Sequence, residues 1–362
     1  GVAALLKKAK VRVVKGHARF EDGRAIVVEG EDGPMTIRPE VVCIATGSTA
    51  VELPFLPFGD DVLSSTEALS LPQPPLAMAV VGAGYIGLEL GMAYAKLGSK
   101  VTIVEAEDRI LPLYDKDLTR PVAKRLDALG IDLRLGAKAK GKADGGLEIE
   151  IADGDTETIA ADKTLVTVGR KPLIDGWGRE NLVLDMDGRH LKIDARCQTS
   201  MTGIYAIGDV TGEPMLAHRA MAQGEMVAEI VAGERRQWDK QVVPAICFTD
   251  PEIVSAGLSP EEATAAGHEI DTAIFPFAAN GRALTMESDD GFVRVVARKD
   301  NHVILGLQAC GKGVAELSAS FGLAIEMGAR LEDVAGTIHA HPTQGEAFQE
   351  AAMRALGHAL HI

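Results

Sequence analysis

Two residues near the end of the sequence, His341 and Glu346, are of types that move protons. Imidazole is the side chain that titrates near neutral pH, so His341 can take a proton from a group such as a thiol. The carboxylate of Glu346 can orient the ring and stabilise its charged form. The same string, HPTQGE, also reads Thr-x-x-Glu from Thr343, a capping box for a following helix. Both interpretations stay open, and we expect them to hold together only if Glu346 serves one partner at a time.

A second candidate site is a glycine-rich turn, G-x-G-x-x-G, at Gly82, Gly84 and Gly87. It follows an apolar strand predicted over 77–81 and precedes a predicted helix, an arrangement that binds dinucleotides. The first glycine permits a tight turn, the second admits a pyrophosphate, and the third lets helix and strand pack closely at a helix end that attracts anions. The alternative is a turn of structural use only. The candidate binding residues of the turn are Gly82, Ala83, Gly84, Tyr85, Ile86, Gly87 and Leu88.

Two carboxylates extend this prediction. Glu105 ends the next predicted strand, about 20 residues after the glycine turn. It can accept hydrogen bonds from both hydroxyls of an adenosine ribose and would repel a 2′-phosphate, which predicts a preference for NAD over NADP. Glu89 lies in the first turn of the predicted helix, where a carboxylate either complements the helix dipole or faces the nicotinamide. Both roles for Glu89 stay open.

The pattern of elements that must position these residues is α/β. Strand, helix, strand, helix and strand alternate over 77–135, which predicts a parallel sheet of the Rossmann type. Short β-rich runs precede it, beginning with KVRVVKG at 10–16, and antiparallel-looking strands with helices follow from 242, which predicts an α+β region. We predict that a first domain is interrupted by a second and then resumes before a third. The predicted boundaries are 1–70 with 165–241, then 71–164, and 242–362.

Composition narrows the classes of protein. Of 362 residues 46% are apolar, enough for a substantial core in two or three domains. Acidic residues outnumber basic ones, 52 to 37, which argues against nucleic acid or an anionic membrane as partner. No apolar run is long enough to span a membrane. The four cysteines are far apart, which suits the reducing cytoplasm, and the spacing of His339, His358 and His361 predicts no metal site.

Seven strings resemble the pyridine nucleotide-disulfide oxidoreductases in their order and spacing. The resemblance covers essentially the whole chain and is greatest to members that oxidise dihydrolipoyl groups. Residues 213–233 are similar to bacterial members that serve a branched-chain 2-oxo acid dehydrogenase complex. The family resemblance implies FAD and NAD as cofactors, a homodimer formed by the third domain, and the lipoyl domain of such a complex as partner. The strings are ATGS at 45–48, VVGAGYIGLELG at 80–91, EDRILP at 107–112, TVGRKP at 167–172, GIYAIGDV at 203–210, MLAH at 215–218 and HAHPTQGE at 339–346.

The resemblance also implies roles for single residues. Asp209 would bond the ribityl chain of FAD, and His341, held by Glu346, would be the catalytic base. Gly169 and Ala139 would contact NAD through their backbone. Without the resemblance, Asp209 would be a helix-capping residue at a strand end, and the glycine and alanine would be ordinary turn or packing positions. The other implied FAD contacts are Ala18 in the GHARF turn, Thr46, Gly47, Ser48, Met215, Leu216, Ala217 and His218.

Two parts of the family pattern do not occur in this sequence: a first G-x-G-x-x-G unit for the FAD pyrophosphate and a redox-active C-x-x-x-x-C. We therefore expect the C-terminal part of such an enzyme, with the remainder of its FAD domain, and expect this chain alone to be inactive. A different class, an NAD-binding and dimerisation module without redox activity, stays open. Glutathione reductase types, which favour NADP, and mercuric reductase types, which carry a C-terminal cysteine pair, are weaker alternatives.

Overall fold

The computed structural model describes residues 1–151 and 154–362. The alternation in LEIEIADG at 147–154 predicts part of a second β-meander, and two of its residues, Ala152 and Asp153, lie outside the described residues. The strands are β1 His17–Asp22, β2 Ala25–Gly30, β3 Gly33–Ile37, β4 Val42–Ile44, β5 Ser48–Ala50, β6 Val62–Leu63, β7 Ala77–Val81, β8 Lys100–Glu105, β9 Asp132–Leu135, β10 Lys138–Ala143, β11 Gly146–Glu150, β12 Thr156–Ala160, β13 Lys163–Val166, β14 Arg170–Pro172, β15 Met186–Asp187, β16 His190–Leu191, β17 Ile204–Ala206, β18 Ala245–Cys247, β19 Glu252–Gly257, β20 Ile270–Pro276, β21 Phe292–Arg298 and β22 Ile304–Gly311.

Two of the longer helices belong to the parallel sheet: α3 begins after the glycine turn, and α4 lies between β8 and β9. Among the described residues, none of the helices is long and apolar enough to cross a membrane. The α-helices are α1 Val2–Lys8, α2 Ser65–Ala68, α3 Tyr85–Lys96, α4 Lys116–Ala128, α5 Ala217–Val231, α6 Pro260–Ala265, α7 Gly281–Thr285, α8 Ser318–Glu326, α9 Leu331–Gly336 and α10 Glu346–Ala355.

The chain forms two compact units, the first built from residues 1–49 and 170–239. It contains an antiparallel meander, β1-β2-β3, and a parallel pair in which β17 lies beside β4. Phe20 and Trp177 pack edge to face with ring centroids 5.9 Å apart in a cluster that also buries Ile44 and Ile204. This cluster joins the meander to the parallel pair and so holds the ends of β4 and β17 side by side.

The second unit, residues 50–169 and 240–362, contains the predicted parallel sheet. Its strand order is β6-β13-β7-β8-β9, and the connections through α3 and α4 are the predicted βαβαβ crossovers. Strands β7 and β8 are almost wholly buried, as parallel strands covered on both faces must be. The α/β fold class with a Rossmann-like sheet is confirmed.

An antiparallel sheet, β18-β19-β22-β21-β20, forms the rest of the second unit, with α8, α9 and α10 packed nearby. One hydrophobic cluster runs from the parallel sheet through α3 and α4 to this sheet. Leu88 and Leu118 on the helices share it with Ile253, Phe292 and Cys310 on the antiparallel strands. The nucleotide-type sheet and the α+β region therefore fold around a continuous core. The three predicted domain boundaries stay a prediction.

The first predicted strand, residues 10–16, is wrong. The structure has irregular chain at 11–16, and the ladder begins at His17. Val11 and Val13 are 49% and 59% exposed. Their alternating side chains have no apolar surface to pack against, and a strand is therefore not stabilised there. Ala18, expected in a turn, instead lies within β1 opposite Val28.

The third glycine of the turn is where α3 comes closest to β7. A Cβ on Gly87 would lie 2.1 Å from the Gly82 carbonyl oxygen, whereas a Cβ on Gly84 would meet nothing within 4 Å. We expect Gly87→Ala to lower the free energy of unfolding by about 2–3 kcal/mol, since the helix must move off the strand. Gly84→Ala, the matched control, should cost less than about 1 kcal/mol. Urea denaturation measures both, and equal losses would contradict the packing role of Gly87.

Candidate functional site

A cavity of about 380 Å³ lies in the second unit where β7, β8 and β13 end. Because parallel strands place their carboxyl ends at one edge of the sheet, the residues that follow them converge there. The wall is mostly apolar, as in many ligand sites. Of the residues predicted to bind a nucleotide, those in the wall are Gly82, Gly84, Tyr85, Ile86, Glu105, Ala139 and Gly169.

The glycine turn presents bare backbone to this cavity. Gly82 has φ +103°, and a Cβ there would lie 2.7 Å from the Thr167 carbonyl oxygen, so the turn needs glycine. Gly84 precedes α3 and has open space where a side chain would be. The amino terminus of a helix with an open approach is suited to a phosphate group.

Glu105 lies beside the turn at the end of β8. Its Oε2 accepts a hydrogen bond from the Ala83 N–H at 2.7 Å, and its Oε1 accepts one from the Glu107 N–H at 2.9 Å. Each carboxylate oxygen has a further lone pair that can accept from a hydroxyl. The carboxylate is therefore held rigidly at the cavity wall in an orientation set by the backbone.

Four predicted residues of this group lie outside the wall. Ala83 and Leu88 are buried in the hydrophobic core, and Gly87 packs against the Gly82 carbonyl and the Thr167 hydroxyl. Glu89 accepts a hydrogen bond from the Phe248 N–H at 2.8 Å, a contact that neither predicted role explains. Burial raises the pKa of the Glu89 carboxyl, and the Phe248 N–H opposes that rise.

One part of the wall has no role in the sequence analysis. Leu111, Pro112, Leu113 and Tyr114 form a loop between β8 and α4 that borders the cavity. We call residues 111–114 the wall loop. The string EDRILP, which overlaps the wall loop at Leu111 and Pro112, carries only the family resemblance. The signal that could have found the loop is its place directly after the carboxyl end of β8.

His341 and Glu346 are brought together at the start of α10. The His341 Nδ1 lies 2.8 Å from the Glu346 Oε1, and the Thr343 N–H donates to the Glu346 Oε2 at 2.7 Å. The expectation that Glu346 serves one partner at a time is wrong, because its two oxygens serve both at once. The Thr343 hydroxyl donates to the Ala340 carbonyl, so of the capping box only the Glu346 half is seen in the described residues.

The two members of this pair differ in exposure. The His341 side chain is 76% exposed, whereas that of Glu346 is 19% exposed. Burial acts to raise the pKa of the Glu346 carboxyl, but the Thr343 N–H and His341 lower it more, and the net shift is downward. Glu346 is thus a fixed carboxylate that orients an accessible imidazole.

The residues expected near a flavin lie in the first unit at the ends of β4 and β17. The Ser48 hydroxyl donates to the Asp209 Oδ2 at 2.6 Å, and the Arg170 Nε donates to the Ser48 Oγ at 2.7 Å. The Thr46 hydroxyl donates to the Leu173 carbonyl at 2.8 Å. The parallel pairing of the two strands brings these polar groups to one edge. Gly47 lies between Thr46 and Ser48 with φ +75°.

The other residues expected near a flavin are spread over this unit. Met215 and Leu216 lead into α5, which begins at Ala217 and His218. The Met215 N–H is held by the Glu213 carboxylate at 2.9 Å. Ala18 is exposed on β1, away from these elements in sequence. The contacts implied for these residues stay predictions.

Comparison with known families decides the affiliation. Residues 1–224 match the model of the pyridine nucleotide-disulphide oxidoreductases, and residues 243–352 match the dimerisation domain of the same family. The chain belongs to the pyridine nucleotide-disulphide oxidoreductases. It is an oxidoreductase, and the second match supports a homodimer.

Relatives and solved structures agree with this affiliation. Dihydrolipoyl dehydrogenase from Pseudomonas aeruginosa is 60% identical over all of this chain and 78% of its own length. The enzyme of that name from Geobacillus stearothermophilus is 44% identical over the same shares. LpdA from Mycobacterium tuberculosis superposes with a TM-score of 0.89 at 28% identity, covering 98% of this chain and 79% of that one. The HOCl-induced flavoprotein disulfide reductase RclA from Escherichia coli gives 0.88 at 26% identity, covering 97% and 82%.

Membership of this oxidoreductase family implies FAD and NAD(H) as cofactors. The cavity fits a dinucleotide, because Gly84 leaves the approach to the α3 amino terminus open and Glu105 supplies a fixed carboxylate at the wall. The edge formed by Ser48 and Asp209 fits the hydroxyl-bearing part of a flavin nucleotide, since both side chains can hydrogen-bond hydroxyls.

Glu105 generates a prediction about the choice of cofactor. We expect the protein to bind NADH more tightly than NADPH, because the carboxylate accepts from ribose hydroxyls and repels a 2′-phosphate. Glu105→Arg should shift the ratio of the two dissociation constants towards NADPH by roughly 10-fold or more. Isothermal titration calorimetry measures both constants.

Glu148→Arg is the control for this prediction. It makes the same change of charge on the exposed face of β11, and Glu148 is not in the cavity wall. The ratio should stay as in the unaltered protein. Equal affinity of the unaltered protein for NADH and NADPH would contradict the role of Glu105.

Proposed function

We propose that the chain carries the NAD-binding, base-bearing and dimerising parts of a dihydrolipoyl dehydrogenase. The net reaction is oxidation of a dihydrolipoyl dithiol to its disulfide, with NAD⁺ taking a hydride and one proton released. The dihydrolipoyl group would be presented by the lipoyl domain of a 2-oxo acid dehydrogenase complex. The names and identities of the relatives support this substrate. The observation that carries it is the bond between His341 and Glu346.

The chemistry needs a base that a thiol can reach and that is neutral until it takes the thiol proton. With Nδ1 of His341 turned to Glu346, the Nε2 on the other side of the ring can take a thiol proton. The carboxylate beside it stabilises the imidazolium that results and keeps the ring in one orientation. Thr343 holds the other carboxylate oxygen, so the orientation does not depend on His341 alone.

FAD, when bound, would supply a carrier that accepts an electron pair from sulfur and passes it to NAD⁺. This chain would hold it through Asp209 and Ser48 and through the segment that begins at Met215. The NAD would lie along the glycine turn with its adenosine ribose at Glu105. The apolar wall of the cavity, including Ala139, would exclude water from the bound dinucleotide.

The role of His341 can be tested in a longer, active enzyme that contains these residues together with bound FAD and an electron-carrying disulfide. We expect His341→Gln to lower kcat by about 10²- to 10⁴-fold, the usual contribution of a general base, while the Kd for NADH stays the same. Steady-state kinetics and calorimetry give the two values. His339→Gln is the matched control, since His339 is a neighbouring, half-buried histidine whose Nδ1 lies 2.9 Å from the Thr337 carbonyl oxygen. Normal turnover by His341→Gln would contradict the role of His341 as a base. Glu346 would then serve only to hold the Thr343 N–H at the start of α10.

The four cysteines of the chain bear on its redox chemistry. All four are free thiols. Burial raises the pKa of Cys197 to about 11 and the pKa values of Cys247 and Cys310 to about 12, so these thiols stay protonated near neutral pH. A thiol–disulfide exchange needs an accessible thiolate or disulfide. In this structure the four cysteines form no disulfide with one another, and Cys43 alone is exposed, so an electron-carrying disulfide would have to be supplied by other residues.

This reasoning gives a prediction for the 362 residues alone. Mixed with dihydrolipoamide and NAD⁺, they should form no NADH above the background followed at 340 nm, although NADH still binds. A base alone cannot replace an electron carrier. Turnover that survives replacement of all four cysteines by serine would show that sulfur chemistry of the proposed kind is not needed.

The free, mostly buried cysteines also favour a second candidate function, an NAD-binding and dimerising unit without redox activity of its own. The region from 242 onward supports the dimer, because it exposes large apolar side chains at Phe248, Leu323, Met327 and Ile338. Free thiols suit the cytoplasm, where we propose that the protein acts.

A further inference from the structure

A buried ion pair links the antiparallel sheet to the start of α4. Arg294, on β21, is paired through its Nη2 with the Oδ2 of Asp115. The two side chains are only 5% and 19% exposed. The Arg294 Nε also donates to the Gln308 Oε1 at 2.9 Å, so the guanidinium is fixed from two directions. An arginine held in this way does not adjust its position as a surface side chain would.

We propose that Arg294 is a positioning residue for the NAD-binding cavity. Through Asp115 it holds the wall loop, residues 111–114, against the glycine turn. This inference rests on the proposed function, because it assigns the cavity to NAD. Arg294 itself is not part of the cavity wall.

Asp115 connects the ion pair to the wall loop in two ways: it is the next residue in the chain after the loop, and it caps the amino terminus of α4. Its Oδ1 accepts from the N–H groups of Asp117 and Leu118 and so begins α4, while its Oδ2 faces Arg294. Asp115 directly follows Tyr114, the last residue of the wall loop. A shift of the Asp115 side chain therefore moves the end of the loop and the start of the helix together.

The wall loop is tied to the glycine turn at its other end. The Leu111 N–H donates to the Ala83 carbonyl at 3.0 Å, and the Tyr114 N–H donates to the Leu111 carbonyl at 2.9 Å. Leu111 has φ +47°, a left-handed conformation that a leucine rarely adopts. Such a conformation persists only where the surroundings hold it, and the Asp115 anchor is one of those surroundings.

The electrostatics agree with this geometry. Burial acts to raise the pKa of the Asp115 carboxyl, but the hydrogen bond and charge of Arg294 lower it more, and the net shift is downward. Asp115 therefore stays a carboxylate near neutral pH. Without Arg294 that charge would be partly buried and uncompensated, and the segment that bears it would move towards water.

The chain offers a matched control for this ion pair. Lys124 on α4 pairs with Asp290, which lies two positions before β21, at 2.8 Å. This second pair joins the same two elements, but its side chains are 70% and 61% exposed. An exposed pair is screened by water and holds little in place. The two pairs therefore differ in burial and in their distance from the wall loop rather than in what they connect.

The test uses the full chain as purified, with four variants: Arg294→Gln, Asp115→Asn, the control Lys124→Gln and the rescue Arg294→Lys. Asparagine keeps the oxygen that caps α4 and removes the charge that Arg294 needs, so it tests the same link with less risk to folding. Arg294→Lys is the conservative rescue, since it keeps the charge. Calorimetry with NADH and hydrogen–deuterium exchange without ligand are the two measurements.

We expect Arg294→Gln and Asp115→Asn to weaken NADH binding by roughly 10-fold. In the same variants the amides of Leu111 and Tyr114 should exchange about 10-fold faster without ligand. Lys124→Gln should stay within about 2-fold of the unaltered protein in both measurements. Arg294→Lys should recover part of the affinity.

A lower Tm with unchanged NADH affinity and unchanged exchange at the wall loop would overturn the proposal, since the ion pair would then only stabilise the fold. Failure of the unaltered protein to bind NADH would instead overturn the proposed function. In that case the exchange of Leu111 and Tyr114 would still decide whether Arg294 holds the loop. If Arg294→Gln fails to fold, Asp115→Asn and Arg294→Lys carry the same two measurements.

Discussion

Parallel pairing of strands is the constraint on which both candidate cofactor regions depend. The carboxyl ends of parallel strands lie at one edge of the sheet, so residues that follow different strands meet there although they are far apart in sequence. In the second unit this brings the glycine turn together with Glu105 and Gly169. In the first unit the pairing of β4 with β17 brings Ser48 to Asp209. The same backbone rule thus builds two sites of different chemistry, one bordered by bare backbone and one by hydroxyl and carboxylate groups.

The orientation of His341, the candidate base, depends on a different principle, the use of both oxygens of one carboxylate. Glu346 is fixed by the Thr343 N–H through one oxygen and by the start of α10 through the backbone, which leaves the other oxygen to orient His341. Charge-assisted hydrogen bonds of this kind contribute more than neutral ones, about 1.5–3 kcal/mol each. The structural and the chemical interpretation of HPTQGE are therefore compatible, and the cap helps to hold the base.

The shared core of the second unit explains why the cavity can respond to residues outside it. Helices α3 and α4 cover the parallel sheet on one side and pack on the antiparallel sheet with the other. Polar contacts cross the same boundary, from Glu89 to the Phe248 N–H and from Asp115 to Arg294. Because the side chains of Arg294 and Asp115 are mostly buried, water cannot replace either partner without a cost in free energy. The region that matches the dimerisation domain thus shares a core with the helices that cover the sheet bordering the cavity.

The sequence by itself determined the glycine turn and the βαβαβ order, because each depends on residues close together in the chain. For His341 and Glu346 it left a base and a helix cap both open, and the family resemblance favoured the base. Spacing of glycines and the period of apolar residues are local signals, and Gly82, Gly84 and Glu105 could be found from them alone. Only the tertiary structure decided that KVRVVKG is not a strand, that Ala18 lies in one, and that Glu346 serves two partners. It alone showed Glu89 bonded to Phe248 and Asp115 bonded to Arg294. These contacts join residues more than a hundred positions apart, and their geometry follows from how helices and sheets pack around a common core, which no local pattern in the chain records.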